Sequence, residues 1–151
     1  MKSLLAQRAF VMGNSTLTII VHPDIQFLGP GKTLSMYNTE GVSIGKRLSE
    51  FLVESEESDR GQATIKWLKM TLRGKAPGPI VCADIDLLFD PSLGLDPLII
   101  FRHISQHTSL IILWPGIHKD SVLSYAQPEH QHYRFWKNLE GLEIKGVSDA
   151  L

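Results

Sequence analysis

Strands alternating with helices along this chain predict a three-layer α/β domain built on a mostly parallel sheet. Three observations carry that expectation. The stretch Pro79-Ile80-Val81-Cys82-Ala83-Asp84-Ile85-Asp86-Leu87-Leu88-Phe89-Asp90-Pro91 is a short apolar run opened by Gly78-Pro79 and closed by Asp90-Pro91. Such a run reads as a strand buried on both faces. A second apolar run, residues 109–114, is closed by Pro115-Gly116. Between the two, Asp96-Pro97 opens a helix, since proline suits the first helical turn.

The remaining elements follow in order. Residues 4–12 suit a short helix ended by Gly13-Asn14. Residues 17–21 are rich in β-branched side chains and make the first strand, stopped by His22-Pro23-Asp24. Gly29-Pro30-Gly31 is a turn, and residues 33–37 alternate weakly as a second strand. Residues 45–54 are helical, with Leu48, Phe51 and Leu52 on one face, and the acidic residues 54–59 form a solvated linker or frayed end. Residues 62–72 make a second helix, with Ile65, Leu68 and Leu72 at i, i+3 and i+7. Residues 74–79 turn into the acid-bearing strand. The Asp96-Pro97 helix runs to about His107, with Leu98, Ile99 and Phe101 as its buried side, and residues 140–147 form a last short strand. There is no internal repeat or low-complexity tract.

A length of 151 residues suits one domain, residues 1–151, large enough to bury a core without metals or disulfides. A net charge of −1 gives no bulk attraction to nucleic acid or anionic membrane. Any DNA contact needs a local basic patch, and Lys66, Lys69, Arg73 and Lys75 form the candidate cluster. The sole cysteine, Cys82, lies inside an apolar strand, which excludes a disulfide framework and favours a reducing compartment. No apolar run is long enough for a bilayer, and no signal-type segment precedes Gly13. The expected location is cytoplasmic, with no membrane partner.

The chemistry centres on Asp84 and Asp86. In open α/β sheets the ligand crevice lies outside the carboxyl ends of the strands, so acids there suit a metal or a phosphate partner. If the strand continues through Asp86 the two acids point the same way; if it ends at Asp84 they diverge. P-loop ATPases place their second nucleotide motif on such a strand. Their first motif is a glycine, four residues, then Gly-Lys-Ser/Thr, opening a helix. Gly31-Lys32-Thr33 supplies its end, but Gln26 occupies the position of the first glycine, and residues 34–41 are a poor helix. These three residues therefore read either as a nucleotide-binding remnant or as a plain turn entering a strand. Gly41-Val42-Ser43-Ile44-Gly45-Lys46-Arg47 does precede a helix, yet it is one residue short and has arginine where the hydroxyl belongs.

The run Asp84-Ile85-Asp86-Leu87-Leu88-Phe89-Asp90-Pro91 is followed by Leu95-Asp96-Pro97-Leu98, Trp114-Pro115-Gly116, Tyr125-Ala126-Gln127-Pro128-Glu129-His130 and Tyr133-Arg134. In order and spacing these segments resemble the small P-loop component (BrxF-like) of type 3 BREX, or bacteriophage-exclusion, defence systems. The resemblance covers about residues 78 to 136. It implies a P-loop-NTPase-like, AAA-like fold and a cytoplasmic ATPase-like subunit acting with larger defence proteins. It also implies ATP and magnesium as cofactors where the site functions, with Gly31, Lys32 and Thr33 on the nucleotide, Asp84 and Asp86 on the metal, and Asp84 as the catalytic acid.

Two departures shape the functional expectation. Aligning Ile85-Asp86 with the family's apolar-acid pair puts Ala83 at the magnesium-associated aspartate, and sliding by one residue leaves Ile85 at the base position. Either register lacks one acid, and the N-terminal half lacks a full P-loop. The expected function is therefore a non-hydrolysing accessory subunit giving assembly contacts. The alternative is an active ATPase subunit using Lys32, Thr33 and Asp84, with an arginine supplied across an oligomer interface. A second alternative is a single-strand nucleic-acid module, since aromatics alternate with cations from Tyr133 to Lys137 and could stack on bases. Tyr133, Arg134 and Trp136 are the candidate partner-binding residues, for other defence proteins or self-association; a packed C-terminal helix is the other reading of that segment. His103 and His107 are four apart, but no strong zinc-ligand spacing accompanies them or His118, His130 and His132. No Gly-x-Ser-x-Gly elbow supports a hydrolase.

Overall fold

The computed structural model describes residues 15–23, 25, 40–55, 58–126, 129 and 131–146. The elements, in order, are β1 Leu17–His22, β2 Glu40–Ser43, α1 Ile44–Glu54, α2 Arg60–Arg73, β3 Ile80–Ala83, α3 Pro97–Ile104, β4 Leu110–Lys119, β5 Val122–Tyr125, β6 Arg134–Trp136 and β7 Glu143–Gly146. Two 3₁₀ turns, Asp86–Phe89 and Pro91–Leu93, lie between β3 and α3. The expected helix at residues 4–12, the Gly29-Pro30-Gly31 turn and the strand at residues 33–37 lie outside the described residues.

The chain forms an α/β fold around a mostly parallel sheet. Five strands run parallel in the order β2-β3-β4-β1-β7, while β5 and β6 extend the far end of β4 as an antiparallel arm. Strand alternation divides the core. Leu17, Ile19 and Val21 join Ile80, Cys82, Leu110, Ile112 and Trp114 on the face covered by α1, α2 and α3. Ile20, Val81, Ala83, Ile111 and Leu113 gather with Ile25 on the other face. Among the described residues, no α-helix contributes to that second cluster.

Local chemistry explains the helices. The Asp59 carboxylate caps α2 by accepting from the Gln62 N–H at 3.0 Å. Asp96 caps α3 by accepting from the Ile99 N–H at 3.2 Å, with Pro97 in the first turn. Leu48 and Leu52 are buried on α1, and Leu68 and Leu72 on α2, as their spacing predicts; Phe51 and Ile65 pack at the edge of the same core.

Several expectations need correction. The acid-bearing strand spans only Ile80–Ala83, because Asp84 turns into the left-handed region at φ 57° and the following residues wind into a 3₁₀ turn that buries Leu88 and Phe89. Ile99 is 61% exposed; Leu98, Ile100, Phe101 and Ile104 supply the buried side of α3 instead. Pro115-Gly116 does not close β4, which runs on to Lys119 while its partners change from parallel β1 and β3 to antiparallel β5. Gly116 permits that crossing, since a Cβ there would collide with the Ser124 carbonyl oxygen. Residues 134–136 form β6, not a helix. β2, directly before α1, was not anticipated as a strand. The final strand, β7, lies within the expected residues 140–147 and pairs with β1.

Candidate functional site

The carboxyl edge of the parallel sheet is the place to look for a site. β1 ends at His22, opposite Pro115 of β4, and β2 ends at Ser43, opposite Ala83 of β3. From β1 the chain passes to β2 at one end of the sheet; from β4 it reaches β7 across β1, by way of β5 and β6. Connections that leave adjacent strands in opposite directions open a crevice between them. A cleft of ≈ 610 Å³ lies there, lined by Val21, His22, Pro23, Ile117, His118 and neighbouring glycines.

Asp84 stands one strand beyond β4, at the end of β3, and is exposed. Two hydrogen bonds hold it. The Ser43 hydroxyl donates to its Oδ2 at 3.1 Å, and the Gly45 N–H donates to its backbone oxygen at 2.8 Å. Ser43 occupies the N-cap position of α1, yet makes no side-chain capping bond of its own. Its hydroxyl is directed at Asp84, and the carboxylate lies against the positive end of the helix, where negative charge is favoured. The missing side chain of Gly45 makes room for this arrangement. A Cβ on Gly45 would sit 2.7 Å from Asp84 Oδ2 and 2.8 Å from its backbone oxygen, so this close approach requires glycine. The segment that looked like a shortened phosphate loop is thus the β2–α1 junction, with one of its amides aimed at a protein carbonyl.

Asp86 goes elsewhere. Its Oδ1 accepts from the Tyr125 hydroxyl at 2.8 Å. The Tyr125 ring stacks on Phe89 at a centroid distance of 3.8 Å, and Trp114 meets Phe89 edge-on at 5.1 Å. Trp136 meets both Phe89 and Trp114 edge-on, at 6.0 and 5.2 Å. Trp114 Nε1 donates to the Ser124 carbonyl at 2.9 Å, pinning β4 to the returning β5. Burial, then the Asp86 carboxylate, pushes the Tyr125 phenol above its ordinary value, so it remains a neutral donor.

The strand therefore ends at Ala83 and the two acids diverge, one toward α1 and the other toward the β5–β6 arm. They do not face one another as a shared carboxylate pair. Among the described residues, no three His, Cys, Asp or Glu side chains come together to hold a metal. Asp84 and Asp86, the expected magnesium ligands, are thus engaged by different partners. Gly31, Lys32 and Thr33 lie outside the described residues. Burial raises the Cys82 thiol to about 12, leaving it an inert core side chain.

The candidate partner residues separate. Arg134 Nη1 donates to the Leu95 carbonyl at 2.7 Å, and its guanidinium lies 5.1 Å from the Trp136 ring. Trp136 Nε1 donates to Asp96 Oδ1 at 3.1 Å. Arg134 and Trp136 thus fasten β6 to the start of α3. Tyr133 is half-buried beside Phe135, which is 53% exposed, with Lys137 Nζ 5.8 Å from the Phe135 ring. The residue that faces outward is Phe135, which sequence reasoning treated only as part of an aromatic run. Ser43, Gly45 and Tyr125 were also missed as contacts of the acids. The serine and glycine of the β2–α1 near-motif were the available signal for two of them.

Among the described residues, no helix is long and apolar enough to cross a membrane. Comparison with known proteins found no matching family model, no matching curated protein and no matching solved structure.

Proposed function

We propose that this chain is a non-hydrolysing, P-loop-like accessory subunit of a bacterial anti-phage defence complex of the BREX type, contributing assembly contacts. The observation that carries the reading is the divergence of Asp84 and Asp86, each bonded to a different part of the same chain. Phosphoryl transfer depends on positioning metal and water between fixed charges, and such positioning is worth orders of magnitude. Acids that point apart do not supply that arrangement. A second feature is compatible with this reading. The segments carrying the resemblance meet in space: Asp86 with Tyr125, Phe89 with Trp114, and Arg134 with Leu95. These contacts put the resembling segments in one part of the fold.

The active-ATPase reading retains one specific observation, the exposure of Asp84 at the carboxyl edge of the sheet. Steady-state ATP hydrolysis by the purified chain with magnesium separates the two. The expected result is no turnover above that of a Lys32→Ala variant. Turnover that disappears in Lys32→Ala would overturn the non-hydrolysing reading. Purification of the tagged chain from its native host, with identification of what accompanies it, tests the assembly role; recovery of a lone monomer speaks against it.

A further inference from the structure

Helix α2 has a charge distribution unlike that of the whole protein. From Arg60 to Ala83 there is no aspartate or glutamate, while residues 60–75 contain five of the chain's 15 lysines and arginines. At 100° per residue, Lys66, Lys69, Met70 and Arg73 fall within one arc of α2, opposite the buried Thr64, Trp67, Leu68 and Leu72. Lys66, Met70 and Arg73 are exposed and Lys69 is half-buried; Lys75 follows in the turn after the helix. We propose that this cationic face of α2 is a surface for the phosphate backbone of double-stranded nucleic acid, without sequence preference.

The charges suit that partner in spacing and in surroundings. Lys66 and Arg73 are seven residues apart, about 10 Å along a helix axis, roughly three of the axial steps of about 3.4 Å between phosphates of one duplex strand. Met70 is the one large apolar side chain of α2 exposed on this face. A specific protein interface needs a desolvated core of apolar and aromatic groups, which a lone methionine does not furnish. Backbone binding needs no such core, because counterion release from the nucleic acid supplies the affinity. The chain's net charge of −1 then favours an approach with this face foremost. The inference does not depend on the nucleotide site.

The test is fluorescence anisotropy of a labelled mixed-sequence DNA duplex titrated with the full chain at several salt concentrations. Engagement of three phosphates predicts a log–log salt slope near −2.7, or an affinity loss of about 40-fold from about 50 to about 200 mM salt. Lys66→Gln with Lys69→Gln and Arg73→Gln should flatten the slope by about one per residue removed. Lys66→Arg with Lys69→Arg should keep the binding, and Lys119→Gln with Lys145→Gln, on other faces, should leave the slope unchanged. Glutamine is close to lysine in helix propensity, so an unchanged melting temperature in the triple variant would show that lost binding is not lost folding. Absence of binding at low salt, or a slope indifferent to the triple variant, overturns the proposal. Binding of polyglutamate as tight as that of the duplex overturns it too, and assigns the face to an acidic protein.

Discussion

Asp84 and Asp86 are two residues apart, yet they serve two joints of opposite character. Around Asp84 the partners are a hydroxyl and a backbone amide at the exposed edge of the sheet. Around Asp86 the partner is a tyrosine backed by a stacked and edge-packed cluster of Phe89, Trp114 and Trp136. In the exposed joint water competes for every bond, so the net contribution of each is about 0.5–1.5 kcal/mol. Asp86 is exposed as well, but in the aromatic joint the buried rings of Phe89, Trp114 and Tyr125 hold its partner hydroxyl in place. The first joint is therefore the one a ligand or partner can open at small cost, and the second belongs to the frame.

The comparison can be broken most forcefully at the aromatic joint. Trp114→Ala should destabilise the protein by about 3–5 kcal/mol, the usual cost of truncating a buried aromatic, read as a shift in the urea midpoint. Next comes Gly45→Ala, where a methyl meets Asp84 at 2.7–2.8 Å. It should cost about 1–3 kcal/mol through overpacking, and less in an Asp84→Gly background, where only the backbone oxygen remains in the way. A double-mutant cycle measures that coupling.

Tyr125→Phe should cost about 1 kcal/mol near neutral pH, since it removes one hydrogen bond to a carboxylate that stays solvated. It also carries a pH signature. The folded phenol titrates above its ordinary value, so its contribution to stability is complete below about pH 10 and is lost as pH rises through the folded value. Wild-type stability should thus fall above about pH 10 by an amount that Tyr125→Phe reduces. Equal alkaline losses in the two proteins would show that Tyr125 is not the titrating group.

Asp84→Gly should be nearly neutral or stabilising by up to about 1 kcal/mol, because glycine relieves the left-handed backbone and only exposed contacts are lost. A large loss of stability would move Asp84 into the frame with Asp86. The smallest effect is expected at Phe135→Ser, within about 0.5 kcal/mol for an exposed side chain. Arg134→Ala with Trp136→Ala, by contrast, should lower the melting temperature, because both side chains bond to the segment that opens α3. If Phe135→Ser weakens association without changing stability, the outward face of β6 is the contact surface.

Residues that signal through local chemistry were legible beforehand. The β-branched run of β1, the Asp96-Pro97 start of α3 and the apolar spacing of α1 and α2 each depend on interactions within a few residues, so the sequence alone determined an α/β domain with those elements. It also located the two acids at the end of one strand. Their directions were another matter. Asp84 turns away because Gly45, 39 positions earlier, lets β2 and α1 approach it closely. Asp86 follows a 3₁₀ turn toward Tyr125, again 39 positions distant. The aromatic run at residues 133–136 likewise splits into inward and outward members only when β5 supplies a pairing register for β6. Period and composition act along the chain, whereas the partner of a side chain is chosen by elements that meet only after the sheet has closed, and that choice belonged to the tertiary structure.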